Sequence, residues 1–184
     1  PAVALSQARE RTYEMVKETS VAISKGLGQL SSYDEKRAEK IKKLEEKIDK
    51  YEDVINSYLV KLSATDLSAE DSYEMTKLLH VISGFERISD HALSIAKAGK
   101  EIDDKNLEFS SQAKEDISII TAAVTEILDM TSNALIKNDT ELAKRVEPLE
   151  QVVDRLKRKI KRGHISRLRQ GDCTMELGFI LSDL

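Results

Sequence analysis

Apolar residues recur at steps of three and four along almost the whole chain. The first run is Leu5, Ala8, Thr12, Met15, Thr19, Ala22 and Gly26, the seam of an amphipathic helix. Gly26 and Gly28 close it, and Ser32-Tyr33-Asp34-Glu35 reads as a capping box that opens a second helix. That helix carries Ile41, Leu44, Ile48, Tyr51, Ile55, Tyr58 and Leu62. Ser68-Ala69-Glu70-Asp71 starts a third, on Met75, Leu78, Ile82, Phe85, Ser89, Ala92 and Ala96. A polar stretch from Asp103 to Asn106 then predicts a linker. A fourth helix follows on Ile117, Ile120, Val124, Ile127 and Thr131. Asn138-Asp139-Thr140-Glu141 caps a fifth, which runs through Leu142, Val146, Leu149, Val153, Leu156 and Ile160 to a stop at Gly171. Leu177, Ile180 and Leu184 begin a sixth.

These helices form two copies of one unit. Ser6-Gln7-Ala8-Arg9-Glu10 and Ser111-Gln112-Ala113-Lys114-Glu115 lie 105 positions apart. The same offset carries Ile41 onto Val146, Leu44 onto Leu149, Ile48 onto Val153 and Ile55 onto Ile160. It also carries Met75 onto Ile180 and Leu79 onto Leu184. The expected fold is therefore all-α, two tandem three-helix bundles over 1–104 and 105–184. The second is expected to lack most of its last helix, which leaves a seam of exposed core and favours self-association.

Composition narrows the class. The chain is 34% charged and 4% aromatic, with no Trp and only two Pro, as long helices are. Its net charge of −4 gives no general attraction to nucleic acid or an anionic membrane. The single cysteine, Cys173, excludes an internal disulfide and fits a reducing compartment. No uninterrupted apolar run reaches the roughly 18–20 residues that span a bilayer, and no signal peptide is evident.

The repeat singles out acidic residues. Glu45 and Asp49 stand four apart, each just after a seam residue, so both carboxylates flank the core on one helix edge. The offset places Glu150 and Asp154 in the same register. Glu86 and Asp90 repeat the spacing on the third helix, with His91 beside them as a further ligand candidate. Clustered carboxylates repel one another more as the surroundings become drier, and a hard or borderline cation such as Mg, Ca, Mn or Fe relieves the repulsion. Against this, a single such spacing in a chain with 33 acidic residues marks only a solvated face. Glu52 extends the stripe by a turn, but its counterpart is Lys157. His80 and His164 have no spacing partner, and nothing near Cys173 in sequence forms a nucleophile–base pair. No catalytic constellation stands out.

Arg155 to Arg169 is a basic run. One reading is a solvated helix end, where cations suit the dipole. The other gives Lys157, Arg158, Lys161 and Arg162 a contact with anionic headgroups or phosphate. Nucleic acid fits poorly, because no aromatic residues interleave the run.

Glu86-Arg87-Ile88-Ser89-Asp90-His91-Ala92 and Leu44-Glu45-Glu46-Lys47-Ile48-Asp49 closely resemble the helix signatures of the PhoU family. The resemblance covers essentially the whole chain. It implies two repeats of a three-helix bundle, a non-catalytic regulatory role in phosphate uptake, and divalent or trivalent metal ions such as Fe, Mn or Mg. By it the metal positions are Glu45, Asp49, Glu86, Asp90, Glu150 and Asp154. The opening segment, and Val146-Glu147-Pro148-Leu149-Glu150 with Val153-Asp154, are similar to the PhoU-like tails of bacterial sodium/phosphate cotransporters. That implies a cytoplasmic domain of an inner-membrane protein, with a membrane-embedded transporter domain as partner. Free-standing PhoU regulators and a purely structural helical module remain the alternatives.

Overall fold

A computed structural model describes residues 2–183; Pro1 and Leu184 lie outside them. The described residues are helical, with no strand. The helices are α1 Ala2–Gly28, α2 Glu35–Ser63, α3 Ala69–Asp104, α4 Ser111–Ile136, α5 Thr140–Ala143, α6 Val146–Gln170 and α7 Met175–Asp183.

Two compact units emerge. One comprises the chain up to Gly26 with Asp34–Ala96; the other comprises Leu27–Tyr33 with Lys97–Leu184. The expected division at 104/105 follows the sequence repeat, whereas these units follow contacts. The α1–α2 loop and the last turns of α3 pack with the second unit. A Cβ on Gly99 would meet the Gln29 carbonyl oxygen at 2.6 Å, so backbone approaches backbone there. Leu30, Ile102 and Leu107 pack against Phe109, Ala113, Ile117 and Leu177. The linker is thus part of a small core.

In the first unit the seam of α1 is buried throughout, at Leu5, Ala8, Thr12, Met15, Thr19, Ala22 and Gly26. Thr12 and Thr19 return their hydroxyls to the carbonyls of Ala8 and Met15, both at 2.9 Å, so each sits in the core with its polar group satisfied. Gly26 lies within α1 rather than ending it. A Cβ there would meet the Ala92 carbonyl oxygen at 2.8 Å, so Gly26 lets α1 touch α3. On α2 the buried residues of the last turns are Leu59 and Leu62, while Tyr58 stays exposed. The cap of α2 is Asp34, which accepts from the Arg37 amide at 2.6 Å; the cap expected at Ser32 falls two residues too early. Ser68 caps α3 through the Asp71 amide.

The second unit follows the repeat with two departures. The expected fifth helix is two, α5 and α6. Pro148 has no amide to offer the Lys144 carbonyl, and its ring crowds that turn, so the helix restarts at Val146. Lys43 occupies the equivalent place in α2, which runs unbroken. The other departure is burial. Met15, Val16, Thr19 and Ala22 are fully buried. Their counterparts Ile120, Thr121, Val124 and Ile127 are only half-buried. Among the described residues α3 spans 36 residues and α7 spans 9. Leu177 and Ile180 of α7 do bury. Gly171 ends α6 with φ 78°, a left-handed cap open to glycine. By length and composition alone α4 is long and apolar enough to cross a membrane, with a mean hydropathy of 1.3 over an 18-residue stretch. It has no unbroken apolar run of that length, because Lys114, Glu115, Asp116, Glu126 and Asp129 punctuate it. The 105-residue repeat aligns this stripe with the seam of α1, so it is the bundle seam of the second unit.

Candidate metal centre

In the first unit the seam of α2 faces the core at Ile41, Ile48 and Ile55. A residue one step past a seam position emerges at the edge of the helix. Glu45 and Asp49 emerge there, half-buried and exposed respectively. On α3, Phe85 and Ser89 are buried, and Glu86 and Asp90 follow each by one. The two edges meet. One carboxylate oxygen from each of Glu45, Asp49 and Asp90 lies within 4.8 Å of the other two. That span matches the separation of oxygens around one six- or seven-coordinate cation with metal–oxygen distances of about 2.1–2.5 Å.

Glu86 completes the cluster electrostatically. Burial, then the Asp90 and Glu52 carboxylates, a hydrogen bond to Asp90 and the Asp49 carboxylate together push its pKa from 4.5 to about 7. Glu52 is raised by burial first, then by Asp49, Asp53 and Asp90. Five acidic side chains therefore press on one another, and the charges acting most strongly on Glu86 are all carboxylates. Such an all-oxygen, self-repelling set fits a hard or borderline cation and gives little support to a structural zinc, which prefers nitrogen and sulfur.

Glu52 belongs nearer this cluster than the repeat suggests. Its mismatch with Lys157 argued against it, yet it stands seven residues from Glu45, two turns along the same edge. His91 is exposed, and among the described residues it joins no metal-capable group. Glu150 and Asp154 are both exposed on α6, with no facing acidic pair in the second unit among the described residues. Lys157, Arg158, Lys161 and Arg162 are exposed as well. His80 is solvated.

The sequence missed a polar cluster at the base of the second unit. Arg167 Nη1 donates to Asp116 Oδ2 at 3.3 Å, with both side chains nearly buried. Gln112 donates to the other Asp116 oxygen at 3.4 Å. Cys173 Sγ lies 3.4 Å from His164 Nδ1, so the thiol has an imidazole neighbour after all. Burial, followed by the Arg167 charge, lowers the His164 pKa. The repeat itself held the signal: His164 and Arg167 stand where the first unit has buried Leu59 and Leu62.

Comparison with known proteins follows the same lines. Residues 12–99 and 117–183 match the PhoU domain family. A putative inorganic phosphate export protein of Salmonella typhimurium, YjbB, is 24% identical over 143 residues, which is 75% of this chain and 26% of that protein. A phosphate-specific transport system accessory protein of Thermotoga maritima, PhoU homolog 1, is 22% identical over 103 residues, 56% of this chain and 44% of that protein. The chain thus spans less than half the length of either curated relative. The crystal structure of PhoU from Pseudomonas aeruginosa superposes with a TM-score of 0.90 at 17% identity, over 99% of this chain and 87% of that one. At that identity the likeness shows the fold. Because the family match covers both units and most of the chain, this protein belongs to the PhoU family.

Proposed function

We propose that the chain is a non-catalytic regulatory module of phosphate transport whose first unit responds to a bound metal ion. The observation that carries the metal reading is the meeting of Glu45, Asp49 and Asp90 within 4.8 Å. In this reading those three each give one oxygen, Glu86 joins on losing its proton, and Glu52 lends charge from one turn away. The ion supplies positive charge that ties the edge of α2 to that of α3. Regulation then acts through how firmly two helices of one bundle are held together.

The finer placement is as the cytoplasmic tail of a membrane phosphate transporter. It draws support from the match to a phosphate export protein almost four times the length of the matched segment. A second reading, a free-standing PhoU regulator, is favoured by the Pseudomonas aeruginosa PhoU, whose length this chain spans to 87%.

The test begins with chelated protein titrated with Mn²⁺, Fe³⁺ and Mg²⁺ by calorimetry. Saturable binding is expected in the wild type, with a loss of at least about tenfold in affinity for Glu86→Ala/Asp90→Ala. Equal binding by both proteins would overturn the site. Phosphate uptake or export by cells carrying the same double variant then tests the regulatory role. Unaltered phosphate flux despite lost metal binding would separate the ion from the function.

A further inference from the structure

The turn between α6 and α7 brings a thiol to a buried imidazole. Cys173 is half-buried there, at the place where the first unit has Ser68, the cap of α3. Its Sγ lies 3.4 Å from His164 Nδ1 and 3.5 Å from the Thr174 carbonyl oxygen. The carbonyl can accept a hydrogen bond but cannot take the proton away. The imidazole can, and a thiol in contact with a base is the arrangement of an activated nucleophile.

The surroundings hold the ring ready. His164 is only 9% exposed. Its Nε2 lies against Gly178 of α7, where any Cβ would collide with it, so the other ring nitrogen is the one turned to the thiol. Arg167, one turn along α6, gives Nη1 to Asp116 of α4. Its buried Nε and Nη2 have no hydrogen-bond partner among the described residues, so the guanidinium charge is incompletely balanced. Burial first, and this charge second, keep the His164 pKa below its usual value. The ring is therefore neutral at pH 7, and in the tautomer protonated at Nε2 its Nδ1 accepts. The first unit holds buried Leu59 and Leu62 at these two places, so the bundle does not need polar groups there to pack.

We propose that Cys173 is a peroxide-reactive thiol with His164 as its proton acceptor, and that its oxidation frees the start of α7. His164 Nδ1 takes the thiol proton, and the thiolate attacks one oxygen of hydrogen peroxide. A sulfur–oxygen bond forms as the oxygen–oxygen bond breaks. The departing hydroxide takes the proton from the imidazolium and leaves as water. The sulfur is oxidised to a sulfenic acid and the peroxide is reduced. This chain holds one cysteine, so the way back runs through small thiols: one condenses with the sulfenic acid and releases water, and a second reduces the mixed disulfide to restore Cys173. The consequence lies in packing. Cys173 packs against Phe109, Ala113, Ile117 and Leu177, and Thr174 beside it accepts from the Leu177 amide at 3.3 Å to cap α7. An oxygen added to Sγ sets a polar group against that apolar wall and displaces the thiol from the ring. The first turn of α7 then loses its seat.

The experiment treats the whole chain with hydrogen peroxide at pH 7, traps the sulfenic acid with dimedone and follows the intact mass. The folded wild type is expected to react at least about tenfold faster than the same chain in concentrated urea, where no imidazole is held beside the thiol. Cys173→Ser should take no label. His164→Gln, which keeps a polar side chain and removes the base, should bring the folded rate down to the urea rate or below. Amide hydrogen exchange over residues 175–180 should rise at least about tenfold on oxidation and recover with a small thiol. A folded wild type that reacts no faster than the unfolded chain overturns the proposal, a comparison that needs no variant. So does a folded His164→Gln chain that keeps the wild-type rate. Fast oxidation with unchanged exchange in α7 overturns the release of the helix.

Discussion

Glu86 offers the sharpest test of the carboxylate cluster. With no metal present, its pKa is raised from the ordinary 4.5 to about 7. A carboxyl raised on folding contributes stability that is fully present below pH 4.5 and is lost as pH climbs through 7. Unscreened, that displacement is worth roughly 3 kcal/mol. Glu86 is only half-buried, and solvent screening brings the effect to on the order of 1 kcal/mol. Glu86→Gln removes the charge while keeping the shape. In chelated protein the variant should match the wild type near pH 5 and exceed it by about 1 kcal/mol at pH 8. His164, held low by burial and Arg167, moves stability in the opposite sense, but it is common to both proteins and cancels in the difference. The assay is urea unfolding in chelator at pH 5, 6, 7 and 8. Addition of a binding cation at a hundredfold excess over its Kd should then stabilise the wild type by about 2.7 kcal/mol and the variant by less, narrowing or reversing the order at pH 8. Two profiles that run parallel from pH 5 to 8 would refute the claim that Glu86 sits among opposing carboxylates.

Two substitutions probe the packing inside each unit. Arg167→Leu should cost about 3–5 kcal/mol, because it strands the Asp116 carboxylate in a nearly buried place. Arg167→Leu/Asp116→Asn should recover most of that in urea melts, since the first unit holds Leu62 at the same register; equal losses for single and double variants would count against the pair. Gly26→Ala should cost about 1–3 kcal/mol, as its Cβ must push the Ala92 backbone away. An unchanged melting temperature would mean that α1 and α3 are not pressed together there.

The sequence by itself determined the helices, their repeat and the edge on which the acidic residues lie. Those properties are local: a three-and-four spacing fixes which side of a helix a residue occupies, whatever packs against it. The seam of α1 could therefore be read residue by residue, and Glu45, Asp49, Glu86 and Asp90 could be placed beside the core. The break before α6 is also written in the chain, in the missing amide of Pro148. Tertiary structure alone decided what meets across helices. Periodicity marks an edge but not the neighbour that edge will face. Only packing brought the α3 edge against that of α2, so that Asp90 meets Glu45 and Asp49. Packing also buried His164 and Arg167 where the repeat has leucines. The physical reason is that a charge's surroundings, and so its pKa and its worth, depend on distances between residues far apart in sequence.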